Sequence, residues 1–445
     1  MPRIHLACVD LYPLADAIAK EGATRESVVE MTDIGGPTML RSATKGRRIV
    51  ICDPQDRSVV IDWLKKGRPD AADFLNDMAS KAEAYIAEYC LLSANYHSQG
   101  KYGGAIGRRV ALCKYGENAW QTPAALYSDG SKDPLALDKC EVVAGTAPSY
   151  NNWCDIDRML QTMTHLASSF THPVVAAIAV KHGNPCGASV DELPPPIAGY
   201  TDELMARMLK QMIDGDKRAI FGGLVMTNFS IDGQRAEILL THGMSGGRRL
   251  LDGIVAPSFT QEALDMLKRK GDKCRFIVNP ALSHTGIKNL DVALRIRNVR
   301  GGFLLQPNYT AIPDFEGMGR SHDIDGTDLR LAWAIGSTSN SNTITLVKDG
   351  MLIGNGVGQQ DRVGCCELAI KRARDAGHST QGAVAYSDSF FPFPDGPQVL
   401  IDAGVRAILT SFGSVNDDKV RDVCKKHEIR LYMIPDAEAR GFYGH

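Results

Sequence analysis

Short apolar runs separated by amphipathic stretches recur along most of this chain of 445 residues. The plainest is Val174–Val180, Val-Val-Ala-Ala-Ile-Ala-Val. It is too brief for a typical helix and rich in valine, so it predicts a strand buried on both faces, of the kind parallel sheets contain. Lys181 and His182 end the run, and Gly183-Asn184-Pro185-Cys186-Gly187 after them predicts a turn. Ligands of open α/β sheets gather at the carboxyl ends of strands, which makes this cation and imidazole candidate substrate-facing groups. The plainer alternative is a surface loop with a solvated lysine.

Before this run, the pattern predicts a strand at Ile4–Val9, a helix from Thr24 through Met31, a strand at Ile49–Cys52 and a helix over Asp73–Cys90. Asp33-Ile34-Gly35-Gly36-Pro37-Thr38 reads as a turn into a helix, whose glycine N–H groups are placed to face an anion. Asp33 and Lys45 read first as a helix cap and a surface charge. Ser93–Gly107 has no hydrophobic period and reads as a linker. A helix from Trp153 to Ser168 leads into the Val174 run. After a rigid Pro194-Pro195-Pro196 connector come helix Asp202–Ile213, a glycine-interrupted strand Ile220–Val225, helix Gln234–Leu240, strand Leu251–Val255, helix Gln261–Arg269 and strand Arg275–Val278. Arg295–Arg300 reads as a solvated edge or a neighbour of an anionic ligand. From Asp323 onward the chain predicts a helix from Thr327, a hairpin of Thr343–Val347 and Met351–Ile353 around Asp349-Gly350, and a strand Val384–Tyr386, then strand, helix and strand. This alternation indicates α/β layers. The expected divisions are 1–92, a linker 93–107, then 108–322 and 323–445.

A formal net charge of -2, with 23% charged and 44% hydrophobic residues, is ordinary for a soluble globular protein. No basic block argues for nucleic acid as a partner, and no run approaches the length of a membrane span. The amino terminus lacks signal-peptide features, and an odd number of cysteines, 11, scattered through apolar surroundings suits reduced thiols in a cytoplasm. Gly354-Asn355-Gly356-Val357-Gly358 superficially resembles a dinucleotide fingerprint. The spacing is wrong and a hairpin precedes it, so nicotinamide binding is rejected. Pro185-Cys186 matches part of the zinc deaminase signature, yet Ser189 stands where its second cysteine belongs and no H-x-E occurs. Zinc is therefore not expected, and no third group is evident to support Cys186 as a nucleophile.

Five motifs occur in one order: Tyr115-Gly116-Glu117-Asn118, Lys181–Gly187, Ser341-Asn342, Gly356-Val357-Gly358-Gln359-Gln360 and Ser387-Asp388-Ser389-Phe390-Phe391-Pro392-Phe393. Together they resemble the AICAR transformylase half of the AICAR transformylase/IMP cyclohydrolase family of purine biosynthesis, over essentially the whole chain. Leu11-Tyr12-Pro13 and Asp33–Thr38 look like the second half of that family's cyclohydrolase domain. The resemblance implies an α/β fold of tandem cytidine-deaminase-like subdomains, preceded by a truncated methylglyoxal-synthase-like segment. It implies formyl transfer from 10-formyltetrahydrofolate, as co-substrate, to the 5-amino group of AICAR. His182 would accept the proton, Lys181 would supply charge or a proton, and Asn342 would orient the formyl oxygen or His182. Lys114, Tyr115 and Arg440 match positions that hold the nucleotide phosphate. Asn152, Phe221, Gly222, Asp252, Arg362 and Phe393 match AICAR positions, and Phe390, Phe391 and Asp395 match the folate side. For the phenylalanines the alternative is core, and for Arg440 a surface charge. Neither a metal nor a covalent intermediate is required, and a homodimer with shared sites is expected.

Three positions depart from the family pattern: Lys114 replaces arginine, Ala119-Trp120 replaces Pro-His, and Ser337 replaces lysine. Tyr12, Asp33 and Lys45 match cyclohydrolase positions, but the phosphate loop and catalytic lysine that precede them in the family are missing, so cyclohydrolase activity is not expected. The alternatives are a non-catalytic paralogue that senses a nucleotide or folate, and formyl transfer to a related amine.

Overall fold

The computed structural model describes residues 4–193, 201–318 and 326–443. The Pro194–Pro196 connector and Asp323 lie outside those residues. The chain divides into two compact units, 1–108 and 109–445.

In the first unit, strand Leu6–Cys8 pairs in parallel with Ile49–Ile51, and helices pack around a core of Leu14, Val28, Leu40 and Val50. The Asp33 carboxylate accepts the Gly36 N–H at 2.6 Å, so it acts as a cap at the start of helix Gly35–Lys45 and occupies a donor that was expected to face an anion. Helix Ala71–His97 buries Met78, Ala82, Ile86 and Tyr89, a stripe at helical spacing. It runs further than the pattern predicts and takes in the first residues of the stretch read as a linker.

The second unit is built on one sheet of eleven strands. In chain order these are β1 (Glu141–Ala144), β2 (Val174–Lys181), β3 (Asn184–Glu192), β4 (Leu224–Thr227), β5 (Gly253–Ala256), β6 (Arg275–Val278), β7 (Ile344–Lys348), β8 (Met351–Gly356), β9 (Val384–Ser387), β10 (Ala407–Phe412) and β11 (Arg430–Pro435). Across the sheet they run β11-β10-β9-β7-β8-β3-β2-β4-β5-β6-β1. The helices around it are α1 (Tyr150–Ser168), α2 (Asp202–Gly215), α3 (Gly233–Thr241), α4 (Gln261–Leu267), α5 (Gly326–Ser337), α6 (Arg362–Asp375), α7 (Asp395–Asp402) and α8 (Asp417–Lys426).

This order contains a duplication. An antiparallel hairpin, β2–β3 or β7–β8, is followed by three strands parallel to one another: β4, β5 and β6, or β9, β10 and β11. In both copies the first of those three pairs antiparallel with the first strand of the hairpin. The halves meet where β3 pairs with β8. One helix precedes each hairpin, α1 or α5, and both of these contribute to a core on one face of the sheet. Helices α2–α4 and α6–α8 pack separate cores on the other side.

Several expectations change here. Strand β2 is buried on both faces, as its apolar run predicts, but it is antiparallel to both neighbours. Burial follows from helices covering both faces of the sheet centre, and an apolar run carries no information about strand direction. Asn184–Gly187 belongs to β3, so the turn is only two residues long. Pro185, which has no N–H to donate, sits where the β2–β3 register slips. Ile220–Gly223 forms turns, and the strand begins at Leu224. Helix α1 starts at Tyr150, earlier than Trp153, because the Ser149 hydroxyl accepts the Asn152 N–H and the Asn152 side chain accepts the Ser149 N–H. The arginine-rich span lies in an exposed two-stranded ribbon, Leu294–Val299 with Gly302–Pro307.

Glycines on the inner strands set how close the helices come. A Cβ on Gly187 would lie 2.3 Å from the Met212 carbonyl oxygen of α2. One on Gly354 would lie 2.3 Å from the Ala369 carbonyl oxygen of α6.

Candidate active site

The β2–β3 turn consists of His182 at φ 54° and Gly183 at φ 73°. Both residues of such a turn need positive φ to match strand twist, which costs a non-glycine residue about 1 kcal/mol. Two contacts hold it. The Asp155 carboxylate of α1 accepts the Gly183 N–H at 2.6 Å, and Lys181 Nζ donates to the Phe221 carbonyl at 2.8 Å.

The second copy repeats the arrangement. Asp349 and Gly350 have φ 54° and 70°, Asp328 of α5 accepts the Gly350 N–H at 2.7 Å, and Lys348 Nζ donates to the Gln381 carbonyl at 2.9 Å. The Gly222 N–H donates to the Leu250 carbonyl and the Gly382 N–H to the Gly404 carbonyl, each at 2.7 Å. Thus Lys181-His182-Gly183 and Lys348-Asp349-Gly350 are one turn built twice. Only the first carries an imidazole.

Beside the first turn lies a cavity of about 350 Å³. Lys181, His182 and Cys186 from one copy face Asn355, Val357 and Arg372 from the other across it. Burial pushes the Cys186 thiol up to about 12, so at neutral pH it is a protonated, weak nucleophile.

Helix α1 carries two buried charges one turn apart. Burial raises the Asp155 carboxyl above its ordinary range, partly offset by the Gly183 N–H and His182. Arg158 donates to the Thr338 carbonyl and, at 2.8 Å, to Asn340 Oδ1. Burial lowers its guanidinium to about 10. One helix therefore holds both the Lys-His turn and the segment that leads to Ser341-Asn342. The pattern of apolar positions did not single out either charge. The available signal was their placement on a helix that buries nearly every turn.

The Ser341–Asn342 peptide is cis. Asn342 Nδ2 donates to the Gln359 carbonyl at 2.9 Å, and Gln359 Nε2 donates to the Val357 carbonyl at 2.9 Å. The glycine-rich segment after β8 thus connects Asn342 to a wall of the Lys-His cavity. Beside it, the Arg362 guanidinium pairs with the fully buried Asp388 and donates to Ser387 Oγ at 3.2 Å. Arg440 donates to Ser389 Oγ at 3.0 Å, pairs with Asp436 at 3.1 Å, and lies 5.6 Å over the Phe390 ring.

The expected site residues fall into groups. Lys181, Phe221, Gly222 and Asp252 are joined through hydrogen bonds of the Phe221–Gly223 turn, with His182 next to Lys181 in the chain, and Asp252 also pairs with Arg269 at 2.8 Å. Asn342, Arg362, Phe390 and Arg440 form a second group around the Ser387–Ser389 strand end. Lys114, Tyr115 and Asn152 gather at the start of α1, where the Tyr115 carbonyl accepts the Tyr150 N–H. Lys114 lies 5.9 Å over the Tyr115 ring, apart from the contacts of Arg440. Phe391 is core, against Gly396, whereas Phe393 is exposed and the Asp395 carboxylate accepts the Gly396 N–H. Of the departures, Trp120 is exposed and Ser337 is fully buried, close to Gly441.

Among the described residues there is no cluster of three or more His, Cys, Asp or Glu able to hold a metal, and no helix long and apolar enough to cross a membrane.

Comparison with known proteins gives a match to the AICARFT/IMPCHase bienzyme family over residues 45–372. The chain is similar to the Bifunctional purine biosynthesis protein PurH of Bacillus subtilis (strain 168), 33% identical over 97% of this chain and 80% of that one. The PurH of Rhodopirellula baltica is 32% identical over 96% of this chain and 79% of its own length. Among solved structures, a diaminohydroxyphosphoribosylaminopyrimidine deaminase/reductase from Thermotoga maritima is 22% identical, covering 22% of this chain and 31% of that one. At a TM-score of 0.16 this likeness carries no argument.

Proposed function

This chain belongs to the AICARFT/IMPCHase bienzyme family, and on that premise we propose that it is an AICAR formyltransferase of purine biosynthesis, taking the formyl group from 10-formyltetrahydrofolate. The observation that carries the reading is the Lys181–His182 turn: a base and a cation held at a cavity, in the one copy of the turn that has an imidazole.

The chemical problem is a weak nucleophile. The 5-amino lone pair of AICAR is delocalised into the imidazole ring and its carboxamide. His182 accepts the amine proton as nitrogen attacks the formyl carbon. Lys181 stabilises the negative charge that grows on the formyl oxygen and supplies the proton to the departing folate nitrogen. Asn342, held by Gln359, orients the formyl oxygen or His182. Arg362 and Asp252 bind AICAR, with Asn152, Phe221, Gly222 and Phe393. Phe390 and Asp395 face the folate, with Phe391 behind them as support. Lys114, Tyr115 and Arg440 hold the phosphate. Among the described residues, Lys114 and Tyr115 share no contact with Arg440 within one chain, and a homodimer in which a second copy completes the site would bring such residues together. The duplicated hairpin and three-strand unit supports tandem cytidine-deaminase-like subdomains. No ring closure is assigned to the chain, and formation of IMP from formyl-AICAR would overturn that part.

The test is tetrahydrofolate release from 10-formyltetrahydrofolate in the presence of AICAR, for wild type and His182→Ala. Release that falls at least about a hundredfold in the variant sustains the reading. Lys114 in place of arginine and the exposed Trp120 favour a second reading, a nucleotide- or folate-binding sensor. AICAR binding without turnover in wild type would establish that one instead.

A further inference from the structure

A second cavity, of about 340 Å³, opens at the same end of the sheet, between the ends of α3 and α4 and ahead of β5 and β6. Its walls are apolar at Leu240, Leu251 and Leu267, while Arg248, Arg249, Lys268, Arg269, Lys270 and Lys273 supply six cations. Asp265 pairs with Lys268, Asp252 pairs with Arg269, Asp272 lies close to Lys268 and Asp214 close to Arg249, so the six cations still outnumber the acids beside them. Arg248 and Arg249 each donate to helix-end carbonyls, those of Met266 and of Leu239 and His242, yet Arg249 is buried with its Nε unpartnered.

The duplication shows that the connection into β5 does not need the charge of Arg248 and Arg249. Leu250 and Gly404 are equivalent, since their carbonyls accept from Gly222 and Gly382. The residues before them are Arg248 and Arg249 in the first copy, Asp402 and Ala403 in the second. The same connection is built in the second copy with no cation at those two positions, and Arg406 stands where the first copy has Asp252.

We propose that this cavity binds a nucleoside diphosphate, the phosphates against the cations and the base against the leucines. Small-molecule pockets start at about 300 Å³, and a diphosphate carries a charge of about -3 at neutral pH. Lys114, Tyr115 and Arg440 are not among its lining residues, and the assignment does not rest on the proposed reaction.

The experiment is calorimetric titration of the intact protein with ADP and with inorganic pyrophosphate. Expected are one ADP site per chain, binding tighter than pyrophosphate, and affinity that falls as salt is raised. Lys270→Glu/Lys273→Glu alters two exposed side chains and should weaken ADP at least about tenfold, with the thermal midpoint unchanged. Lys114→Ala, at the proposed substrate phosphate site, should leave ADP binding as it was. Should ADP fail to bind at millimolar concentration, bind no better than pyrophosphate, or respond to Lys114→Ala and not to the double variant, the assignment is wrong.

Discussion

His182 and Asp349 occupy the same backbone position in two copies of one turn, so aspartate is known to be compatible with it. His182→Asp is therefore expected to fold with a thermal midpoint close to wild type while formyl transfer drops by about two orders of magnitude or more. A large loss of stability would contradict the equivalence. Asp155 gives a prediction in pH. Its folded value is raised above the ordinary 3.8, so the neutral acid is favoured in the fold. The matching stabilisation is full below about pH 4 and is lost as pH rises through the raised value. Asp155→Asn keeps an oxygen for the Gly183 N–H and cannot ionise. Its thermal midpoint should gain on wild type between pH 4 and 7, whereas Asp155→Ala, which frees the turn, should lower transfer about tenfold to a hundredfold. His165 has the opposite sign. It is fully buried, its Nδ1 lies 2.8 Å from the Gln161 carbonyl, and burial lowers it from 6.5 to about 4. Stability is complete above pH 6.5 and declines as pH falls toward 4, by about 3 kcal/mol. Denaturant titrations across that range should show the slope for wild type and not for His165→Leu. Lys181 and His182 were legible in the sequence because an apolar run ending in glycines marks its own terminus. Asp155 and Arg158 were not. A charge inside an amphipathic helix looks solvated until the packing on both sides is known.

At the level of elements, the alternation of strands and helices follows from hydrophobic periodicity, and the Asp349-Gly350 hairpin from its turn chemistry. Strand direction does not follow, because parallel and antiparallel strands buried on both faces share one apolar pattern. The glycines of the Lys181–Gly187 and Gly354–Gly358 motifs look like loop residues in sequence. In the fold Gly187 and Gly354 are points of helix–sheet approach. Gly187→Ala and Gly354→Ala should each cost about 1–3 kcal/mol, measured by urea unfolding, since backbone carbonyls of α2 and α6 must retreat. Unchanged midpoints would show that those helices are free to move outward.

For the molecule as a whole, the ribbon of Leu294–Val299 and Gly302–Pro307 leaves Leu294, Phe303, Leu304 and Leu305 exposed. A two-stranded ribbon is marginal in water by itself, which fits the proposed second copy covering it. Sedimentation should give a dimer, and Leu304→Asp should shift it toward monomer and lower transfer together. A monomeric wild type with full activity would remove the shared site. The duplication was faintly written in the sequence as Val180-Lys181-His182-Gly183 and Val347-Lys348-Asp349-Gly350, four-residue echoes too short to stand out without the sheet that aligns them. Its consequence reaches beyond architecture. A protein that makes one corner twice and arms it once contains its own blank. The amides of Gly183 and Gly350 should exchange with deuterium at similar rates in the empty protein, each guarded by a carboxylate. When ligands fill the armed corner the two rates should part, and the gap between them measures occupancy from inside a single spectrum.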